Sequence, residues 1–304
     1  MIDASGGLLA QSGPNGLTFL TIGIFQGAVY GLLAVGIVLV YKGVRVFNFA
    51  QGEFGSVAAF ATFALFDQLK LPYGVAVLGG LVAAVLLGLI MEKLVIRPLF
   101  DAPRITMLVA TVGFALFVIA VTVIVGKPEP RVLDPAIPGT AFTLFGVAVQ
   151  WSQVLLLAAL AVVALVLPLF FRTNTGLAVL AISQDPLATR IVGISVVRTS
   201  RLIWGFAALL GGIAGILQAP AANVFTPGFM TATALVPAFT AAVLGGMTSL
   251  PGAFIGGLLV GAAQNVGVFY LQELGVPGAA ELTVFAMLLL VLLIRPQGLL
   301  GTEA

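Results

Sequence analysis

From Ile105 to Gly126 the sequence reads ITMLVATVGFALFVIAVTVIVG, with no charged side chain anywhere in it. A helix needs about 20 apolar residues to cross the hydrocarbon core of a bilayer, and this run supplies them. Comparable runs recur near 17–41, 46–67, 74–96, 151–171, 202–219, 231–247, 252–272 and 281–294. Of the 304 residues 61% are hydrophobic and 8% charged, where soluble domains carry about 25% charge. Such a chain has too little polar surface to meet water on all sides. The expected fold class is all-α: a polytopic membrane helix bundle of about eight to ten spans, forming one transmembrane domain over 1–304.

Two absences narrow the chemistry. There is no cysteine and no histidine, which removes thiol catalysis, cysteine metal sites and the commonest general base and metal ligand. No metal site is expected. No paired carboxylates stand at helical spacing inside a span, so a membrane-embedded enzyme lacks its machinery. The opening MIDASGGLLAQSGPNG has no basic stretch before the first apolar run. It does not read as a signal peptide, and that run is expected to be kept as a span.

Lys and Arg mark cytoplasmic loops. The longest polar stretch, 172–201, carries Arg172, Arg190, Arg198 and Arg201, so it is placed inside. Alternating outward from it puts Lys42, Arg45, Lys93, Arg97, Arg104 and Arg295 inside as well, and only Lys70, Lys127 and Arg131 outside. The N-terminus is then expected outside and the C-terminus in the cytoplasm. Residues 127–150 become an outer connection. Four prolines between 128 and 138 forbid a regular helix there, while TAFTLFGVAVQW alternates as a small hairpin does.

The inner stretch FRTNTGLAVLAISQDPLATRIVGISVVRTSR predicts two short amphipathic helices. Asp185 before Pro186 is a helix start and Gly193 a stop, bounding a helix over Pro186–Val192. Leu177, Leu180 and Ala181 give the preceding segment an apolar face. It reads either as an interfacial helix on lipid headgroups or as a docking element for a cytoplasmic partner.

Two segments interrupt their apolar runs. In VFNFAQGEFGSV, 46–57, Asn48 and Gln51 have the spacing of a capping box, with Asn48 accepting from the Gln51 amide. Glu53 then lies about 12 Å below the surface, counted from Arg45 at 1.5 Å per residue, near the centre of a core about 30 Å thick. An intramembrane carboxylate faces a cavity or a partner. In VLGGMTSLPGAFIGG, 243–257, Gly245 and Gly246 can end one helix and Ser249 can cap the next. The two segments are followed by LVIRPLF at 94–100 and LLIRPQG at 292–298, and both copies run the same way through the membrane, as a parallel repeat requires. Interrupted segments at matching places point to a substrate path, with Asn48, Gln51, Glu53, Gly246, Ser249 and Asn265 as its candidate residues. Gln26, Tyr30, Gln218 and Gln264 read instead as hydrogen-bonding glue between helices.

NFAQGE after a span, FTAAVLGGMTSLPGAFIGGLLVG at 239–261, LLIRPQGLLG at 292–301 and TGLAVLAISQDPLATRIVGISVVR at 175–198 resemble the permease subunits of branched-chain amino acid ABC importers. The likeness covers nearly the whole chain, and NFAQGE is similar to the H-type rather than the M-type permease.

The resemblance implies a transporter in the plasma (inner) membrane of a prokaryote, set among membrane lipid and binding no nucleic acid. It would pair with a second permease of M type, two cytoplasmic ATPases and an external substrate-binding protein. ATP and Mg would sit on the ATPases and no cofactor on this chain. Residues 175–193, with Gly176, Leu180, Asp185, Pro186, Arg190 and Gly193, would be the element that docks the ATPase. The chain departs from the family at three places. Gln51 stands where His is usual, Pro237 where a Lys is common, and Gly246-Met247-Thr248-Ser249 where Gly-x-Gly-Ser is usual. These touch the substrate more than the fold: urea or short amides are alternatives, and a passive channel or scaffold is the alternative from another class.

Overall fold

The computed structural model of the protein describes residues 16–184, 186–191 and 193–301. Among the described residues eleven α-helices follow in order: α1 Gly16–Val44, α2 Gln51–Phe63, α3 Tyr73–Met91, α4 Arg104–Gly126, α5 Trp151–Phe170, α6 Asn174–Gln184, α7 Pro186–Ile191, α8 Val196–Ala221, α9 Phe229–Gly245, α10 Leu250–Glu273 and α11 Ala279–Ile294. Leaving aside α6 and α7, these helices answer one for one to the nine apolar runs. Six are long and apolar enough to cross a membrane; α9 and α11 are shorter. The helical rod of α2 is also short, although a π-helical turn carries it on to Gln68.

The bundle is organised around α1 and α8. A helix that is apolar on every side belongs in the interior, and α1 is buried from Ala28 to Val40. It packs on α10 by backbone approach. A Cβ on Gly257 would collide with Gly31, and one on Gly261 with Gly23 and Gly27. Small residues are what let helices close to this distance in a membrane, where packing rather than the hydrophobic effect drives association. The second such seam joins α2 to α8, at Gly55 against Gly215. On α3, α4, α5 and α11 large apolar side chains such as Leu78, Leu116, Leu165 and Leu293 turn outward.

The two ends of the bundle differ. One carries the connection between α4 and α5, where β1 Thr140–Leu144 pairs antiparallel with β2 Val147–Gln150. Phe145 and Gly146 between them both have positive φ, +47° and +82°, as a two-residue hairpin turn matched to strand twist requires. The Thr18 hydroxyl donates to the Phe145 carbonyl at 3.1 Å and ties the hairpin to α1. The expected hairpin is present.

The other end carries α6 and α7. The Thr173 hydroxyl accepts from the Gly176 N–H at 3.2 Å and starts α6. Gly176 lies so close to the end of α5 that a Cβ would strike the Phe170 carbonyl. The apolar face expected at Leu177, Leu180 and Ala181 needs correction. Val179 and Ile182 are the buried side chains, while Leu177 is 52% exposed. Seating α6 through Gly176 rotates the helix so that positions three and six residues further on face inward. Beyond it α7 ends at Ile191 and Gly193 has φ +84°, the left-handed stop expected of it. Asp185 and Val192 lie outside the described residues, as do the side chains of Pro186 and Arg190.

Candidate functional site

Both predicted interruptions exist. At the first, α1 stops at Val44, Arg45 takes φ +55°, and residues 46–50 run back into the bundle without helical structure before α2 begins. Gln51 abuts Gly36 of α1, eight residues before the end of that helix and so about 12 Å up it at 1.5 Å per residue. It also reaches Ala207, eleven residues into α8, about 16 Å by the same rise. The start of α2 therefore lies deep in the bundle. The depth expected for Glu53 holds, but an extended return segment reaches it, not a helix rising from Arg45.

Non-helical backbone at that depth must find its partners inside the protein. The Thr111 hydroxyl of α4 accepts from the Phe49 N–H at 3.2 Å and lies 3.2 Å from the Phe47 carbonyl. Asn48 Oδ1 accepts from the Ala50 N–H at 3.0 Å and its Nδ2 donates to Gln51 Oε1 at 3.0 Å. Gln51 Nε2 in turn donates to the Ala207 carbonyl at 2.8 Å. All three residues are buried.

This is not the capping box expected of Asn48 and Gln51. The helix starts later, with Ala50 at its N-cap and no side chain capping it. Asn48 closes a local turn two residues long, as asparagine does, and Gln51 is spent on another helix. Glu53 then occupies the third helical position, from which a capping-box glutamate reaches back to the N-cap N–H. That N–H is already taken by Asn48.

Neither Glu53 carboxylate oxygen has a hydrogen-bond partner among the described residues, and the side chain has no solvent exposure. The Thr231 hydroxyl of α9 stands beside it without a closed hydrogen bond. One turn further along α2, Ser56 Oγ accepts from the Met230 N–H at 3.3 Å. The first turns of α2 and α9 are thus packed together around one buried carboxylate. Thr111 and Thr231 are absent from the sequence reading. Each stands in an apolar run that holds other threonines, Thr106 and Thr122 in the one and Thr233 and Thr240 in the other, so residue type alone does not single it out.

At the second interruption α9 ends on Gly246, with φ +98°. Ser249 caps α10 as expected, accepting from the Gly252 N–H at 3.1 Å. The Leu299 and Leu300 N–H groups donate to the carbonyls of Leu244 and Gly245 at 2.7 and 3.1 Å, so the segment after α11 satisfies the end of α9. Ser249 and Leu180 of α6 line one groove of about 610 Å³. Asn265 lies apart, its amide donating to the Gly261 carbonyl one turn back at 3.1 Å. The glue reading holds for its neighbours: Tyr30 donates to Gln264 at 2.7 Å and Gln218 to Gln26 at 3.5 Å.

The family model described as "Branched-chain amino acid transport system / permease component" matches residues 19–294. The chain belongs to this family. The permease protein BraD of Pseudomonas aeruginosa, of a high-affinity branched-chain amino acid transport system, is 30% identical over 295 residues, covering 93% of this chain and 94% of its own. LivH of Salmonella typhimurium, a permease protein of the same description, is 28% identical, covering 92% and 93%. A solved structure, PsaBC from Streptococcus pneumoniae in complex with Fab, aligns over 92% of each chain with TM-score 0.48 at 18% identity, too loosely to carry more.

In this permease the polar residues least expected of a helix edge also form a cluster. Glu92 at the end of α3 is wholly buried and accepts from Arg97 at two points, with Arg201 of α8 at 3.9 Å. Glu92 is thus the centre of a buried ion cluster at the end of α3, with Arg201 of α8 at its edge.

Proposed function

We propose that this permease forms the membrane path of an ATP-driven importer for branched-chain or other hydrophobic amino acids. It pairs with a second permease of M type, and the path passes the first interruption. The observation that carries this reading is Glu53. A carboxylate at membrane depth is costly, and here no fold-stabilising hydrogen bond accounts for it. Asn48 and Gln51 hold the helix start in place and leave Glu53 unspent.

Glu53 is covered on the α9 side, so substrate reaches it only when the first turn of α9 parts from α2. The broken helices supply a movable joint of the kind transporters place at their substrate sites. The α6–α7 end, gathered with Lys42, Arg45, Lys93, Arg97, Arg172 and Arg201, is the cytoplasmic one by its positive charge. It receives the two ATPases, while the hairpin end meets the external binding protein. Gly176 and Leu180 position the docking element.

The test is uptake of radiolabelled leucine into proteoliposomes holding both permeases and the ATPases, with binding protein added outside. Uptake that needs ATP and stops when the ATPases are omitted supports the reading. Uptake that persists without them defeats it in favour of a channel.

A further inference from the structure

The groove of about 610 Å³ at the basic end combines long apolar walls with one cation. Its long walls are apolar: Val35 of α1, Val163 and Leu167 of α5, Phe254 and Ile255 of α10. Lys42 stands at its mouth, the ammonium 5.4 Å from the centre of the Phe171 ring, within the range of a cation–π contact. Lys42 has no carboxylate within ion-pair distance among the described residues, and the first turn of α10 beside it carries no acid.

Shape and charge together select the occupant. Val35 lies seven residues above Lys42 on α1, so the slot runs about 10 Å along that helix at 1.5 Å per residue. A free amino acid needs a partner for its ammonium as well as for its carboxylate. The described lining offers a cation and no acid. A molecule with one anionic end and a long apolar tail matches the lysine and the apolar walls, and Thr248 and Ser249 add the remaining polar lining. We propose that the groove seats an anionic phospholipid of the leaflet at the basic end, its phosphate on Lys42 and an acyl chain between α5 and α10.

Lys42 and Arg45 attract such a headgroup electrostatically, at roughly a fivefold gain in affinity for each basic side chain near the surface. Because Leu180 of α6 and Leu300 also line the mouth, the lipid would touch both the docking element and the segment that closes α9.

The full chain is purified from nanodiscs of phosphatidylglycerol and phosphatidylcholine in equal amounts, and the lipid it retains is measured by native mass spectrometry. Wild type should hold phosphatidylglycerol in preference. Lys42→Met, which keeps the apolar stem, should lower that preference about fivefold, and Lys42→Arg should keep it. Val163→Trp, which fills the slot while leaving the charge, should lower total retention. Arg198→Met, at an exposed basic site on α8 outside the groove, should leave the preference unchanged. Equal retention of both lipids by wild type overturns the proposal without any variant. So does an equal loss in Lys42→Met and Arg198→Met, or displacement of the lipid by inorganic phosphate or by leucine.

Discussion

Gln51 of α2 donates its side-chain amide to the backbone carbonyl of Ala207 on α8 at 2.8 Å, with no solvent reaching either residue. That one bond fixes where α2 begins. Gln51 accepts from Asn48 with its oxygen and donates to α8 with its nitrogen, so the return segment and the neighbouring helix are held through the same side chain.

Gln51→Leu removes both bonds and strands the Asn48 side-chain amide, while the Ala207 carbonyl keeps its partner within α8. Side-chain hydrogen bonds between membrane helices average about 0.6 kcal/mol, and a stranded buried group costs about 1–3 kcal/mol. The expected loss is about 2 kcal/mol. Thermal unfolding of the purified permease should show a clear drop, and a variant as stable as wild type would mean that the α2 start is held by something else.

The glycine seam makes a sharper contrast. A Cβ on Gly257 meets the backbone of α1, whereas one on Gly113 of α4 meets nothing within 4 Å. Gly257→Val should cost about 1–3 kcal/mol as overpacking does, and reduce the yield of monodisperse protein. Gly113→Ala should be neutral, or stabilising by up to about 0.5 kcal/mol through helix propensity. Similar effects of the two would remove the close approach of α1 and α10 as the reason for the seam.

The ion cluster orders its own variants. Arg97 is closer to Glu92 and less exposed than Arg201, whose side chain is 49% exposed. Exposed pairs are worth about 0–1 kcal/mol, while removing one partner of a buried charge strands the other. Stability should therefore fall more for Arg97→Met than for Arg201→Met, which should lie within about 0.5 kcal/mol of wild type. A chemical-denaturation series on the two proteins checks the order, and the reverse order would make Arg201 the main partner of Glu92.

Much of this was legible in the residues. Asn48, Gln51 and Glu53 announced the first break because amides and a carboxylate have no business in lipid. Gly246 and Ser249 announced the second, and the alternation of TAFTLFGVAVQW the hairpin. What stayed hidden were partners without a sequence signature. The Ala207 carbonyl belongs to a backbone, and no residue type marks it. The inward face of α6 depended on how closely Gly176 sits against Phe170, which an amphipathic pattern of small and apolar residues does not encode. The capping box failed by register: Asn48 and Gln51 had the right spacing, but the helix began at Gln51, not at Phe49.

That register shift matters most for Glu53. With the Ala50 N–H taken by Asn48, the carboxylate has no helix to start and no cation to neutralise it among the described residues. A substitution that keeps its shape should then spare the fold. Glu53→Gln is expected to retain expression, thermal stability and assembly with the ATPases, while leucine uptake in the reconstituted importer falls at least about tenfold, the equivalent of 1.4 kcal/mol in the transport barrier. Thr231→Val, beside the same carboxyl group, should lower uptake less, because it leaves that group itself in place. If Glu53→Gln transports as wild type does, the buried carboxylate has no part in the path. If the variant fails to assemble, its role is to join α2 to α9.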